Sequence, residues 1–277
     1  YGLRYSAFAQ LGDGTVYDYR SGMSREDSTV VGQQDYAKGE VIESFFDAQG
    51  LEPRLALTYL LNDKQSLKIS YNRMRQYIHL ISNTTATTPI DIWRPSGRHI
   101  DPATADQFSL GYFAEWQLWG NRFDFSVESY YKSMNQIVDY KDGADLIFNE
   151  RIETELLIGK GRAYGLELLL RRNSGKWTGW ISYTLSRTER LVDGAFKGEQ
   201  INQGEWYPAN YDKTHDISLV ATYKISEKWD VGGVWVFQSG RPVTYPSARA
   251  EYETGIIYPV YNNRNGARTP SYHRLDV

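Results

Sequence analysis

At 277 residues, with 31 Lys and Arg against 34 Asp and Glu, the chain carries a formal net charge of -3 and an isoelectric point near 5.9. No basic stripe stands out, which argues against a nucleic-acid groove. The absence of Cys excludes a disulfide scaffold and any thiolate metal site. No run approaches the roughly 18 apolar residues of a membrane helix, so a closed barrel, whose backbone groups pair between strands, remains as the way to span a bilayer.

The chain starts on an alternating run (Leu3, Tyr5, Ala7). Leu55, Leu57, Tyr59 and Leu61 then alternate with Arg54, Ala56 and Thr58, a tight Asn62-Asp63-Lys64 turn follows, and Leu67, Ile69 and Tyr71 alternate with Lys68, Ser70 and Asn72. The same hairpin unit returns at residues 107–132, 162–187 and 216–238, each time with a tight turn and each time separated from the next by a long polar loop. Residues 272–277 open a further strand. Short turns on one side and long loops on the other predict an all-β chain forming part of a transmembrane antiparallel β-barrel, with about ten strands, short periplasmic turns and long extracellular loops.

Strand length and face pattern agree. Runs at 106–118, 122–132, 162–172, 176–187 and 214–225 are long enough that, at about 3.3 Å per residue and a tilt near 45°, each covers an apolar band of about 25 Å. Soluble strands are usually about 5–6 residues. One face of the third hairpin holds Tyr164, Leu166, Leu168 and Leu170, then Trp177, Ile181, Tyr183 and Leu185. The charged residues Glu115, Asp124, Glu128, Glu167 and Lys224 fall on the other face. Trp116, Trp119, Trp177 and Trp229 lie beside the tight turns, and Tyr71, Tyr131, Tyr164 and Tyr183 lie toward the loops, as two interfacial belts require. Strand propensity explains the number of these rings but not their positions.

Several segments resemble the barrel of TonB-dependent outer-membrane receptors of Bacteroidetes type. They are Glu52-Pro53-Arg54-Leu55, Leu67-Lys68-Ile69-Ser70-Tyr71-Asn72-Arg73-Met74, Asn83-Thr84-Thr85 with Pro89-Ile90-Asp91-Ile92-Trp93, and Gly161-Arg162-Ala163-Tyr164-Gly165-Leu166-Glu167. Tyr211-Asp212-Lys213-Thr214-His215-Asp216 and Arg264-Asn265-Gly266 with Tyr272-His273-Arg274-Leu275-Asp276 extend the match over nearly the whole chain. The resemblance implies a plugged barrel of about twenty-two strands, of which residues 1–277 form one partial barrel domain, roughly strands eleven to twenty. The plug and N-terminal domains, and the aromatic residue that ends such barrels, are expected outside this stretch. Implied partners are outer-membrane lipid, the receptor's own plug and, through the plug, the TonB-ExbB-ExbD energy-coupling complex; a surface lipoprotein is a further candidate. The implied location is the bacterial outer membrane, and no nucleic-acid partner is implied.

The loops carry the candidate ligand-binding residues: Trp93, Arg94, Arg98 and His99 in the loop 76–105, Trp206 and Tyr207 in the loop 191–211, and Tyr245 and Tyr258 in the loop 241–270, where Tyr252 and Tyr261 add to a Tyr-rich rim. Aromatics and Arg together suit capture of a bulky sugar, peptide or metal chelate; a loop folded on itself, stiffened by Pro89, Pro95 and Pro102, is the plainer reading of any one of them. Asp139, Asp142, Gly143 and Asp145 miss the spacing and the closing Glu of a calcium loop. The four His (His79, His99, His215, His273) form no metal-binding spacing, although His79 and His99 share a loop, and there is no nucleophile elbow or P-loop. Glu115 and Glu128 are positioned to face each other in a hairpin, where luminal carboxylates meet a plug's Arg or line a wet wall. No catalytic residue, cofactor or metal is expected. The leading expectation is the barrel of an active importer that binds a siderophore, glycan or peptide on its loops. The alternatives are a passive porin-like or adhesive barrel and, more remotely, a soluble glycan-binding β protein.

Overall fold

The structure, a computed structural model, describes residues 1–81, 92–146, 149–251, 255 and 257–277. The Thr-rich stretch 83–88, Pro89 and Tyr252 lie outside the described residues.

Ten strands make one continuous antiparallel sheet in chain order. They are β1 (Gly2–Tyr5), β2 (Leu51–Asn62), β3 (Gln65–Gln76), β4 (Ala103–Leu118) and β5 (Asn121–Tyr140), followed by β6 (Leu156–Arg172), β7 (Trp177–Leu191), β8 (His215–Lys224), β9 (Asp230–Gln238) and β10 (Tyr272–Asp276). A two-residue strand, Tyr207–Pro208, pairs beside β7 at Glu189 and Arg190. The sheet is open, with β1 and β10 at its edges. Each strand pairs with its sequence neighbour, so every connection is a hairpin and the loops sort by side. Four tight turns close one end. The turn between β4 and β5 puts Trp119 and Gly120 at φ 52° and 73°, the double left-handed geometry that matches strand twist in a two-residue hairpin. Asn121 Nδ2 donates to Trp119 O at 2.9 Å and steadies it.

Register fixes the two faces. Leu166, Leu168 and Leu170 stand opposite Leu185, Tyr183 and Ile181, and Val127 and Phe125 continue the rows onto β5. Leu166, Leu170, Ile181 and Leu185 are solvent-exposed, as are Leu55, Leu57, Tyr59, Ile69, Phe108 and Leu110 on earlier strands, and Leu168, Tyr183, Val127 and Phe125 are half-buried. The sheet has almost no apolar core of its own: of the buried apolar residues among those described, only Ala114 lies within the membrane-spanning part of a wall strand, and the rest belong to the loop end. A soluble protein does not leave an apolar face this continuous in water; in lipid it is satisfied. The belts form as expected, with Tyr131 stacked on Tyr164 (centroids 6.5 Å apart), Tyr71 against Phe108 (4.7 Å) and Trp177 against Tyr223 (4.5 Å).

The structure corrects two expectations. Glu115 does not face Glu128: the register sets Glu115 against Asp124 and Glu128 against Gly111. Arg122 relieves the first pair, with Nη2 2.7 Å from Glu115. The strands also run farther than the apolar pattern marks. β5 continues to Tyr140 and β6 begins at Leu156, because their backbones go on pairing above the membrane, past a bulge at Gln136 (φ 56°).

Beyond the wall, the long connections fold into a crown. Its pieces are two-stranded ribbons: Phe8–Leu11 with Val41–Phe45, Gly14–Tyr19 with Val30–Tyr36, Ile78–Ile81 with Ile92–Pro95, Pro242–Val243 with Ala267–Arg268, and Pro246–Glu251 with Ile257–Tyr261. Two small apolar clusters lie at this end, the first of them under the Ile78–Ile81 ribbon. Ile81, Ile100, Ile152 and Leu156 form one, and Leu157, Val192, Ile201 and Tyr207 form the other.

Candidate functional site

The crown encloses a cavity of about 900 Å³ whose lining comes from four connections and from the upper ends of β5 and β7. At its centre is Asp139, 6 % exposed. Its carboxylate accepts from Arg190 Nη1 at 3.0 Å, Arg264 Nη1 at 2.7 Å and the Tyr207 hydroxyl at 2.7 Å. Arg264 also reaches Asp142 at 2.5 Å and lies over the Tyr140 ring at 4.8 Å, while Arg190 lies over Tyr211 at 5.9 Å. Each cation is thus charge-paired and stacked on a ring, an arrangement that fixes its direction. Burial, reinforced by the Asp139 charge, pushes the Tyr207 hydroxyl well above the ordinary tyrosine range, so it stays a proton donor.

Further polar pins hold the cavity's walls. Asn202 and Arg264 exchange backbone–side-chain bonds at 3.1 and 2.8 Å, and Asn265 Nδ2 donates to Pro208 O at 2.9 Å. The fully buried Asp212 accepts from Thr188 N at 2.7 Å and pairs with Arg268. The segments 188–190, 202–212 and 264–268 are therefore one bonded unit, and several residues quoted for the family resemblance (Asp212, Arg264, Asn265) act in it as structural pins. Glu52 plays a similar part at the other side, where it is 1 % exposed and accepts from Ser6 Oγ at 2.6 Å.

The eight candidate residues fall in separate places. Arg94, Arg98 and His99 line a second, small cavity of about 130 Å³ with Gln10, Glu150 and Glu153. There Arg98 pairs with Asp18 at 3.2 Å, His99 Nε2 is 2.8 Å from Tyr17 O, and Arg94 Nε is buried without a bonding partner among the described residues. Trp93 is exposed on the Ile92–Pro95 strand and lines neither cavity. Tyr207 lines the large cavity, whereas its neighbour Trp206 packs its ring over Arg162 at 4.2 Å. Tyr245 is exposed just before the Pro246–Glu251 ribbon, which Tyr258 joins from its partner strand. His79 and His99 do not meet: buried His79 is 3.0 Å from Ser96 Oγ, and burial lowers its pKa. Asp139 and Asp142 are the counter-ions of Arg190 and Arg264. Among the described residues no cluster of three His, Asp or Glu could hold a metal.

Sequence reasoning missed Asp139, Tyr140, Arg190 and Arg264 as cavity residues. They are up to 125 positions apart in the chain, and no local spacing signals their convergence.

A wall of long antiparallel strands with a lipid-facing apolar side and a folded, polar crown defines an outer-membrane-type barrel section. The model of the TonB dependent receptor-like β-barrel matches residues 1–277, and the chain belongs to that family. Such receptors lie in the outer membrane of Gram-negative bacteria and are transporters rather than enzymes. No curated protein matches the sequence. Among solved structures, the chain is similar to the ferripyoverdine receptor of Pseudomonas aeruginosa (13 % identity, TM-score 0.52, 84 % of this chain and 27 % of that one). It is also similar to the ferric-catecholate import receptor Fiu of E. coli K12 (18 %, 0.51, 97 % and 32 %) and to the FrpB iron transporter of Neisseria meningitidis (12 %, 0.50, 86 % and 32 %). At these identities the likeness concerns the fold, and the chain spans about a third or less of each receptor.

Proposed function

We propose that residues 1–277 form a partial barrel domain of an energy-coupled outer-membrane importer, and that its crown cavity receives a bulky nutrient: a siderophore, a glycan or a peptide. The observation that carries this reading is the cavity itself. Its volume, about 900 Å³, lies at the upper end of the range for small-molecule sites. Its lining alternates tyrosine rings with fixed polar groups (Tyr140, Tyr207, Tyr211, Asp139, Arg190, Arg264). The candidate residues Arg94, Arg98 and His99 line a second, smaller cavity, and Trp93, Tyr245 and Tyr258 supply further exposed aromatic surface. Ferric siderophores head the cargo panel because the similar receptors are described as binding or importing iron compounds.

The partners follow from the wall. On its inner face Glu128 and Glu167 stand directly opposite each other. Like charges in register are destabilising, and no cation pairs with either among the described residues. Basic groups of a plug domain would neutralise them, and the plug would carry the TonB-ExbB-ExbD force that this chain has no means to generate. The Bacteroidetes character follows from the resemblance of the sequence motifs, and a surface lipoprotein is a further candidate partner.

The test is uptake by cells carrying the full-length receptor. A labelled panel of ferric siderophores, oligosaccharides and oligopeptides is supplied with and without a protonophore. The expected result is accumulation of one class, abolished by the protonophore and by deletion of the receptor. Small-solute flux that persists under the protonophore would establish the passive barrel instead.

A further inference from the structure

The small cavity of the crown holds polar groups that neither the packing nor the import reading uses. Its volume is about 130 Å³, and its lining comes from the segments 10–16, 94–100 and 150–153. Strand pairing sets Arg94 opposite the buried His79, so alternation turns Arg94 inward and leaves Trp93 outside. A turn closes the next stretch, with Gly97 N donating to Ile100 O at 2.9 Å and Ile100 N to Gly97 O at 3.2 Å. The Gln10 amide lies directly over Gly97, where a Cβ would stand 2.0 Å from its oxygen. Gln10 keeps this place because residue 97 has no side chain.

Most of the charges here are already matched. Arg98 pairs with Asp18 at 3.2 Å, Glu153 accepts from the Tyr19 hydroxyl at 3.0 Å, and His99 Nε2 is 2.8 Å from Tyr17 O. Three groups are left over. Among the described residues no ion pair or hydrogen bond engages the guanidinium of Arg94, the carboxylate of Glu150 or the amide of Gln10, and Arg94 Nε is buried. Buried donors are normally satisfied, so an orphan beside a cavity calls for an occupant. A simple anion would satisfy Arg94 and be repelled by Glu150, and a simple cation would meet the reverse. A molecule carrying both charges satisfies the pair.

We propose that this cavity is a binding site for a small free α-amino acid. Arg94 takes the carboxylate in a planar, charge-assisted contact, Glu150 takes the ammonium, and the Gln10 amide bonds either group. Val16, Ile100 and Ile152 supply the apolar part of the lining, which suits a short aliphatic side chain. The volume lies below the roughly 300 Å³ at which sites for drug-sized ligands begin, so the occupant is a molecule of few heavy atoms and not the bulky nutrient. The large and small cavities share no lining residue among those described. The site therefore stands beside the cargo reading and does not rest on it. A peptide would bring only one of the two charges at either of its ends.

The experiment is equilibrium dialysis of the full-length receptor in mild detergent against radiolabelled glycine, L-alanine and L-valine. Saturable binding of at least one of them is expected, at one molecule per receptor. N-acetyl-L-alanine and L-alanine amide each keep a single charge; they should compete at least about tenfold more weakly, because each forgoes a hydrogen bond to a charged group. Arg94→Gln is expected to weaken binding by at least about tenfold, with unchanged heat-modifiable mobility on gels. Should that variant fail to fold, Glu150→Lys changes an exposed side chain and is expected to reverse the preference toward N-acetyl-L-alanine. Four results would each overturn the assignment: no saturable binding of any of the three amino acids, wild-type affinity in a folded variant, single-charge analogues that compete as well as L-alanine, or the dipeptide L-alanyl-L-alanine competing equally.

Discussion

The wall and the crown of this molecule are built on opposite plans. In the wall, apolar side chains point outward and the cohesion is backbone pairing, strand after strand, with nearly every residue meeting a partner fixed by register. In the crown, apolar side chains turn inward into two small clusters, and polar side chains bind segments far apart in the chain. The wall can accept many substitutions if each face keeps its character. The crown depends on a few ion pairs, because each one fixes several loops at once.

The sharpest contrast should come from removing the centre of the crown. Asp139→Ala leaves Arg190 and Arg264 without their shared counter-ion, and losing one side of a buried pair costs about 3–5 kcal/mol. The expected outcome is a receptor whose barrel still inserts but whose loops become protease-sensitive and whose cargo binding is lost, as limited proteolysis and equilibrium binding would report. Wild-type proteolysis would show that the crown does not depend on this hub.

A charge on the outer face of the wall is next in size. Ile181→Arg places a cation among Leu168 and Leu170, and on a lipid face such a residue costs about 2–4 kcal/mol at the midplane and little at the interface. Urea titration in lipid vesicles should show that loss, while the inward-facing neighbour Ser182→Arg should show much less. Equal effects at 181 and 182 would break the assignment of faces.

A smaller loss is expected for Trp206→Ala, which removes the ring over Arg162; a partly exposed cation–π contact of this kind contributes about 0.5–1 kcal/mol. Thermal melting would read it as a shift of a few degrees at most, with cargo affinity retained, since Trp206 lines neither cavity.

The most local effect concerns pH. Burial holds the His79 imidazole below its usual value of 6.5, so the unfolded segment takes up a proton that the folded one refuses. Stability of the Ile78–Ile81 ribbon is then full above that value and falls as pH drops through it toward the lower folded-state pKa. Hydrogen exchange at Ile78–Ile81, corrected for its intrinsic rate, should be faster at pH 5 than at pH 7.5, and His79→Gln should remove the difference.

How far the sequence was legible follows the same division. Wall strands carry a period of two, so Leu166, Leu168 and Leu170 announce their face in the sequence, and the tyrosine belt declares its height. What sets Glu115 against Asp124 is the exact register of one hairpin, and a shift of a residue or two is invisible in the alternation. The extra lengths of β5 and β6 were hidden because strands outside lipid need no apolar face. Crown geometry was hidden more deeply: Asp139 resembled part of an ion-binding loop, and nothing near it in sequence names Arg264 as its partner. Trp206 and Tyr207 show the limit most plainly, being adjacent aromatics of one loop that end against Arg162 and Asp139 respectively.

The most direct measurement is hydrogen exchange across the crown of the full-length receptor, titrated with the cargo that the uptake panel identifies. The expected result is protection that saturates with cargo at residues 138–143, 207–211 and 261–265, the segments lining the large cavity. Protection confined to other segments, such as the ribbon at 246–251 or the segment 94–100 alone, would contradict the assignment of that cavity as the cargo site.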